Sequence, residues 1–141
     1  GMLTKLGLKS KIVAEPWSVV SNKMRNEQQM FDVLFLWKST YYADPNNWVG
    51  EMYSCDQIGQ RNSSWYCNKE VDALLTGALA TSDQAKRAVA YEKAAQMVME
   101  DAAGIFVYNT KWFGAFSKKV SGVRFCPIGD GQEMRWASME K

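Results

Sequence analysis

The groups best suited to gripping a small molecule are gathered in one run, WKSTYYADPNNW, residues 37–48. It holds four aromatic rings: Trp37, Tyr41, Tyr42 and Trp48. Lys38, Thr40 and Asp44 add a cation, a hydroxyl and a carboxylate among them. Rings with polar tips suit a pocket for molecules that are part apolar and part polar. Bond-making chemistry is not expected. The chain has no histidine, which removes the usual general base, the usual metal ligand and any Ser-His or Cys-His pair. No nucleophile motif stands in for it, so a hydrolase is not expected either. Some members of the run have plainer uses. Trp48 falls on a helix and reads as a core anchor. Asp44 reads first as the cap of that helix, with Pro45 in its first turn. Trp37 and Tyr41 read as pocket walls.

The three cysteines carry less. Cys55 and Cys67 flank one polar loop, and Cys126 stands alone before Pro127. A zinc site normally needs four ligands at tighter spacing, so no metal and no cofactor is expected. The pair is open to two readings: free thiols in a reducing compartment, or a loop disulfide in an exported protein. Their bracketing of a turn-rich segment favours the disulfide. Cys126 reads as a small buried apolar residue. Asn62-Ser63-Ser64 matches a glycosylation sequon, as many loops do by chance. Gly129-Asp130-Gly131 lacks the strand-to-helix setting of a phosphate loop.

The elements that must position these groups follow from periodicity. Residues 2–6 with Gly7 read as a last helical turn and its glycine cap. Residues 11–15 alternate as a strand, and Pro16-Trp17 opens a helix to about Asn26 with Val19, Val20 and Met24 inward. Residues 30–37, MFDVLFLW, form an apolar run fitting a strand covered on both faces. Strand, helix and strand would make a βαβ unit with a right-handed crossover. Ligands bind beyond the carboxyl ends of such strands, which selects residues 37–42 and Asp44. A short helix through about Tyr53 follows, capped by Asn46 or Asn47 if not by Asp44. After an irregular loop comes a helix over about 69–79. Thr81 and Gln84 then form a capping box for the longest helix, through Asp101. Its inward stripe reads as Ala88, Tyr91, Ala95 and Val98, with Asp83 and Arg87 paired four apart. Glu100 and Asp101 sit at the unfavourable end of its dipole. Strands are expected at 105–109 and 111–117, a turn-rich stretch at 126–132 and a last strand at 134–138.

At 141 residues the chain is one domain, able to bury roughly two thirds of its surface. Its net charge of +2 and the absence of any basic run beyond two residues do not indicate a nucleic-acid partner. No apolar run approaches the roughly 20 residues of a membrane span, and no signal peptide is read. Gly1-Met2 looks like a scar of tag removal ahead of a chain that starts within a longer protein.

The order of elements over 68–109 resembles the C-terminal lobe of the extracellular solute-binding proteins, family 5, of ABC importers. It consists of a helix ending in small residues, a capped helix, and an apolar strand after Gly104. The run at 37–48 is similar to the family's Trp-x-x-Asp-type segment with its Asp-Pro pair, Asn and aromatic. Trp37, Asp44-Pro45 and Asn47 fit that pattern. Where peptide-binding members place an acid for the ligand's amine, this chain has Thr40, with one extra residue before Asp44. A hydroxyl accepts a hydrogen bond there but offers no charge. The loop from Cys55 to Cys67 is similar to dipeptide-receptor members with cysteines at nearly this spacing.

The resemblance implies an α/β fold, a periplasmic-binding-protein type II-like lobe with a mixed sheet flanked by helices. Residues 1–141 would be a single C-terminal lobe, incomplete without its partner lobe. It implies capture of a peptide, sugar or similar solute by hinge closure, with Trp37, Lys38, Thr40, Tyr41, Tyr42 and Asp44 at the ligand. Implied partners are a membrane permease and the chain's own N-terminal lobe, with self-association of the isolated lobe as a risk. The implied location is periplasmic or extracellular, with lipid or cell-surface attachment possible. The other function class on this fold is the ligand-sensing domain of a cytosolic transcription regulator, for which Cys55 and Cys67 would be reduced.

Overall fold

The computed structural model describes every residue except Gly1, Trp37, Ser39, Thr40, Thr110, Trp112, Pro127, Gly129, Asp130, Gly131 and Lys141. The first helix, α1 (Met2–Lys5), ends at Gly7, whose φ of +78° is a left-handed conformation that glycine adopts without strain. Helix α2 (Trp17–Met24) starts after Pro16, as the sequence predicts, and buries Met24. A π-helical turn (Asn46–Gly50) runs into the short α3 (Glu51–Tyr53). Then come α4 (Lys69–Leu79) and α5 (Gln84–Glu100).

Helices α4 and α5 carry the core. Val71, Leu75 and Ala78 of α4 pack with Tyr91, Ala94 and Val98 of α5, all nearly inaccessible to water. Burying each of the large aliphatic side chains stabilises by roughly 1.5–3 kcal/mol. Asn68 caps α4 by accepting the Glu70 N–H. The start of α5 departs from the expected capping box. Asp83 is its cap and accepts from the Ala85 and Lys86 N–H groups, while Thr81 accepts from Asp83 N–H outside the helix. A carboxylate attracted by the helix dipole outcompetes a hydroxyl for that place. The cap uses Asp83 Oδ1, and Oδ2 lies 3.6 Å from Lys86 Nζ, so the expected pair with Arg87 does not form. Arg87 turns to Ala78 and Asp44 instead. The inward stripe is also shifted: Ala94 is buried, whereas Ala88 is exposed and Ala95 half-buried.

Asp101, expected to be a local cost, is held by two donors. Its Oδ2 accepts from Tyr66 Oη at 2.6 Å and from Asn68 Nδ2 at 2.8 Å. These bonds, Tyr66's first, hold the Asp101 carboxyl below its usual value. Burial, then the bond to Asp101, pushes the Tyr66 hydroxyl up to about 12. A carboxyl whose folded pKa lies below its unfolded value of about 3.9 stabilises above that pH. Its contribution is lost as pH falls through the lower, folded value. Tyr66→Phe is expected to raise the Asp101 pKa and to weaken this acid-side dependence. Carboxyl NMR titration reads the shift, and an unmoved Asp101 refutes it.

Four segments read as strands do not form strands among the described residues: 11–15, 30–37, 105–109 and 111–117. Their large apolar side chains stand in the open, with Ile12 95%, Phe35 81%, Ile105 83% and Phe113 86% exposed. A strand needs a neighbour to take its backbone hydrogen bonds, and no such ladder runs beside these segments among the described residues. The βαβ unit and its crossover are therefore not seen. Among the described residues the sheet content is two short antiparallel pairs. Strand β1 (Val120–Ser121) pairs with β4 (Ser138–Met139), and β2 (Arg124–Phe125) with β3 (Gln132–Glu133). Of the strand expected at 134–138, residues 134–137 form the turn between β3 and β4 and only Ser138 lies in a strand. Gly122, at φ +78°, passes so close to the Trp136 carbonyl that a Cβ there would collide. Cys126 is free and half-buried, not buried as expected.

Candidate functional site

The candidate loop is built from hydrogen bonds that end on two carboxylates. Asp44 Oδ1 accepts the Asn46 N–H at 2.8 Å, which starts the π-helical turn. That is the capping role its sequence context suggests. Asp44 Oδ2 takes the Arg87 guanidinium at 2.5 Å. Arg87 also donates to the Ala78 carbonyl at 2.9 Å and lies 5.4 Å above the Tyr91 ring. The loop is thus tied to α5, one of the two core helices.

Glu51 is the second node. Its Oε1 accepts from Tyr42 Oη at 2.5 Å, and its Oε2 from Asn47 Nδ2 at 3.1 Å. Arg61 Nε lies 2.9 Å from the same Oε2. Asn47 is fully buried, and its Oδ1 accepts the Tyr41 N–H at 3.0 Å. Burial, then the bond to Glu51, raises the Tyr42 hydroxyl above its ordinary value. Tyr41 stands 69% exposed, with the Arg61 guanidinium 4.5 Å from its ring centre. Lys38 Nζ donates to the Arg61 carbonyl at 2.8 Å. Burial, then the positive charge of Arg61, lowers the Lys38 ammonium from the usual lysine value.

Arg61 is placed by the loop between the cysteines. Cys55 and Cys67 are disulfide-bonded, with Cα atoms 4.7 Å apart. Inside the closed ring Asn62 is fully buried, and its amide donates to the Ser54 carbonyl at 2.9 Å and the Tyr66 carbonyl at 2.8 Å. With both donors so spent, Asn62 does not present an amide for a sugar. Trp65, at φ +58°, sends its indole N–H to the Met24 carbonyl at 3.0 Å, tying α2 to the loop. The two sulfurs and the Asp72 carboxylate lie within 4.8 Å of one another. The sulfurs are consumed by their bond, and Asp72 accepts the Cys55 N–H at 3.0 Å.

Of the residues selected from sequence, Lys38, Tyr41, Tyr42 and Asp44 converge on this network. Trp37 and Thr40 lie outside the described residues. Trp48, expected as a core anchor, is 42% exposed. A cleft of about 360 Å³ lies nearby, lined by Asn46, Glu51, Asp56, Asp72, Leu75 and Leu79 among others, and none of the four borders it. Sequence reasoning missed Glu51, Arg61 and Arg87. Glu51 follows Asn47 by four residues, a helical spacing that signals a shared face. Arg61 carries no sequence signal, and Arg87 had been matched with Asp83.

No family model matches the chain. It is 29% identical over 125 residues to the di/tripeptide-binding protein 1 of Pseudomonas aeruginosa, covering 89% of this chain and 23% of that protein. It is 33% identical over 127 residues to the probable D,D-dipeptide-binding periplasmic protein DdpA of Escherichia coli, covering 89% and 24%. A crystal structure of a dipeptide-binding protein from Pseudoalteromonas, in complex with Met-Leu, matches with a TM-score of 0.71 at 25% identity. That match covers 98% of this chain and 27% of the other. The chain therefore spans about a quarter of the length of these relatives. It is homologous to the dipeptide- and peptide-binding solute-binding proteins, and its fold is a partial α/β lobe of theirs.

Proposed function

We propose that this chain, related over 89% of its length to peptide-binding solute-binding proteins, is part of the C-terminal lobe of a periplasmic receptor. The receptor captures a small polar solute, such as a peptide, and presents it to the permease of an ABC importer. The observation that carries this reading is the fold shared across 98% of the chain with a dipeptide-binding protein of which it spans 27%. The mechanism is closure of two lobes, with the ligand stabilising the closed state and no bond made or broken. The chain is a binding module and not an enzyme on this reading. The ligand face is Lys38, Tyr41 and Tyr42, together with Trp37 and Thr40, and Asp44 holds the loop from behind. The exposed apolar stretches around Phe35 and over 105–108 suit a piece covered by the remainder of a larger protein.

Calorimetry tests this with Met-Leu and a panel of peptides and sugars. The chain alone is expected to show no affinity better than about micromolar. The longer protein carrying both lobes is expected to bind at least one panel member. A nanomolar isotherm from the chain alone overturns the need for a second lobe. A two-lobe protein that binds nothing overturns solute capture.

A further inference from the structure

The charges around the candidate loop do not balance locally. Glu51 is committed to Arg61, Tyr42 and Asn47. Asp44 is committed to Arg87 and to the Asn46 N–H. Neither carboxylate is left to meet an incoming amine. Lys38 is in the opposite position. Its ammonium has three N–H donors, and one of them reaches the Arg61 carbonyl at 2.8 Å. Among the described residues no carboxylate lies within ion-pair distance of it. Lys38 is half-buried, so part of its hydration is already lost. A cation in that state gains most from an anion that arrives with its own charge.

We propose that Lys38 receives an oxyanion group of the solute, a carboxylate or a phosphate, with the Tyr41 ring as the adjoining apolar wall. This rests on the ligand-loop reading above and specifies the solute's chemistry there. Arg61 acts as a positioning residue. Its carbonyl orients the Lys38 ammonium, its guanidinium covers one side of Tyr41 at 4.5 Å, and Glu51 neutralises its charge. An amine brought to the same place would meet Lys38 and find both nearby carboxylates occupied. The loop is thus set against the cationic end of a peptide.

The test uses the whole 141-residue chain, labelled at lysine Cε and in the tyrosine rings, and followed by NMR. The probes are acetate, inorganic phosphate, Met-Leu, and Met-Leu with its carboxylate capped as an amide, against sodium chloride at matched ionic strength. The Lys38 signal is expected to shift saturably at millimolar acetate or phosphate, and with free Met-Leu when the carboxylate is the source. The other lysines, chloride and the capped peptide should leave it unmoved. In Lys38→Met the Tyr41 signal should respond to the same anion at least about tenfold more weakly, as loss of one charged hydrogen bond implies. Lys86→Met, an exposed change away from the loop, should leave that response intact.

A response to phosphate alone assigns the source as phosphate, and a response to acetate and Met-Leu assigns it as carboxylate. No Lys38 shift with either anion overturns the proposal, as does an equal shift with the capped peptide. The two readings separate cleanly. Tyr41 shifts with both peptides while Lys38 stays still would leave the ligand loop standing and remove the oxyanion assignment. A Lys38 shift with the anions while neither anion nor peptide moves Tyr41 would do the reverse.

Discussion

Replacing both loop cysteines, Cys55→Ser with Cys67→Ser, is expected to lower the unfolding free energy by about 3 kcal/mol. The value is the chain-entropy cost of leaving a loop of this length open in the unfolded state. It applies here because the cysteines are separated by 12 positions and are bonded in the folded chain. The consequences spread beyond the bond. The closed ring holds Asn62 against the Ser54 and Tyr66 carbonyls and aims Trp65 at Met24. It also presents Arg61 to Glu51, Tyr41 and Lys38. Urea unfolding with and without reductant measures the first effect. Exchange of the Trp65 indole proton measures the second, and should quicken in the double variant. Cys126→Ser is the control, since that thiol is free, and it should stay within about 0.5 kcal/mol of the parent. Equal stability in oxidised and reduced samples would sink the prediction.

How far the sequence revealed this molecule depended on how local each signal was. The helix over 69–79 was legible to the residue, because Asn68, the apolar spacing and the small residues at its end all act within a few positions. Gly7 and Pro16 punctuated the chain correctly for the same reason. The strand expectations failed because a strand is a relation between segments. The alternation over 11–15 and the apolar runs near 30–37 and 105–109 report a face that needs cover. They do not report where the cover is, and no strand pairs with them among the described residues. The stripe of α5 slipped because it was read from a single helical spacing, whereas the partner helix chose Ala94 over Ala88.

The candidate site divides along the same line. The aromatic run and the Asp44-Pro45 cap could be read from types and spacing. The groups that hold the run in place could not, because Arg61 and Arg87 reach it from about 20 and about 40 residues away in sequence. Asp83 misled the reading of Arg87. Its spacing to Arg87 was ideal for a helical pair, but Asp83 caps the helix through Oδ1 and pairs with Lys86 through Oδ2.

Arg87→Met should have the second large effect, and it reports on the loop as much as on stability. Arg87 is 12% exposed and its partner Asp44 33% exposed, so the pair is partly withdrawn from water. Breaking a fully buried pair by removing one partner costs about 3–5 kcal/mol, and screening at this half-open site reduces the expectation to about 2 kcal/mol. The loss has three parts: the ion pair to Asp44, the bond to the Ala78 carbonyl, and the cation over the Tyr91 ring. Methionine keeps most of the packing volume, so the change isolates the charge and its donors. Without the tether, residues 41–44 keep their contacts with Asn46, Asn47, Glu51 and Arg61 but lose the link to α5. The Tyr41 amide, bonded to Asn47 Oδ1 at 3.0 Å, should then exchange faster with solvent. Lys86→Met is the comparison, one position away on the same helix but in an exposed pair with Asp83. It should change stability by no more than about 0.5 kcal/mol. A cycle with Asp44→Asn separates the direct pair from the rest: the two changes together should cost less than their sum. Additive effects, or an Arg87 variant no weaker than the Lys86 one, would show that the loop is not anchored through α5.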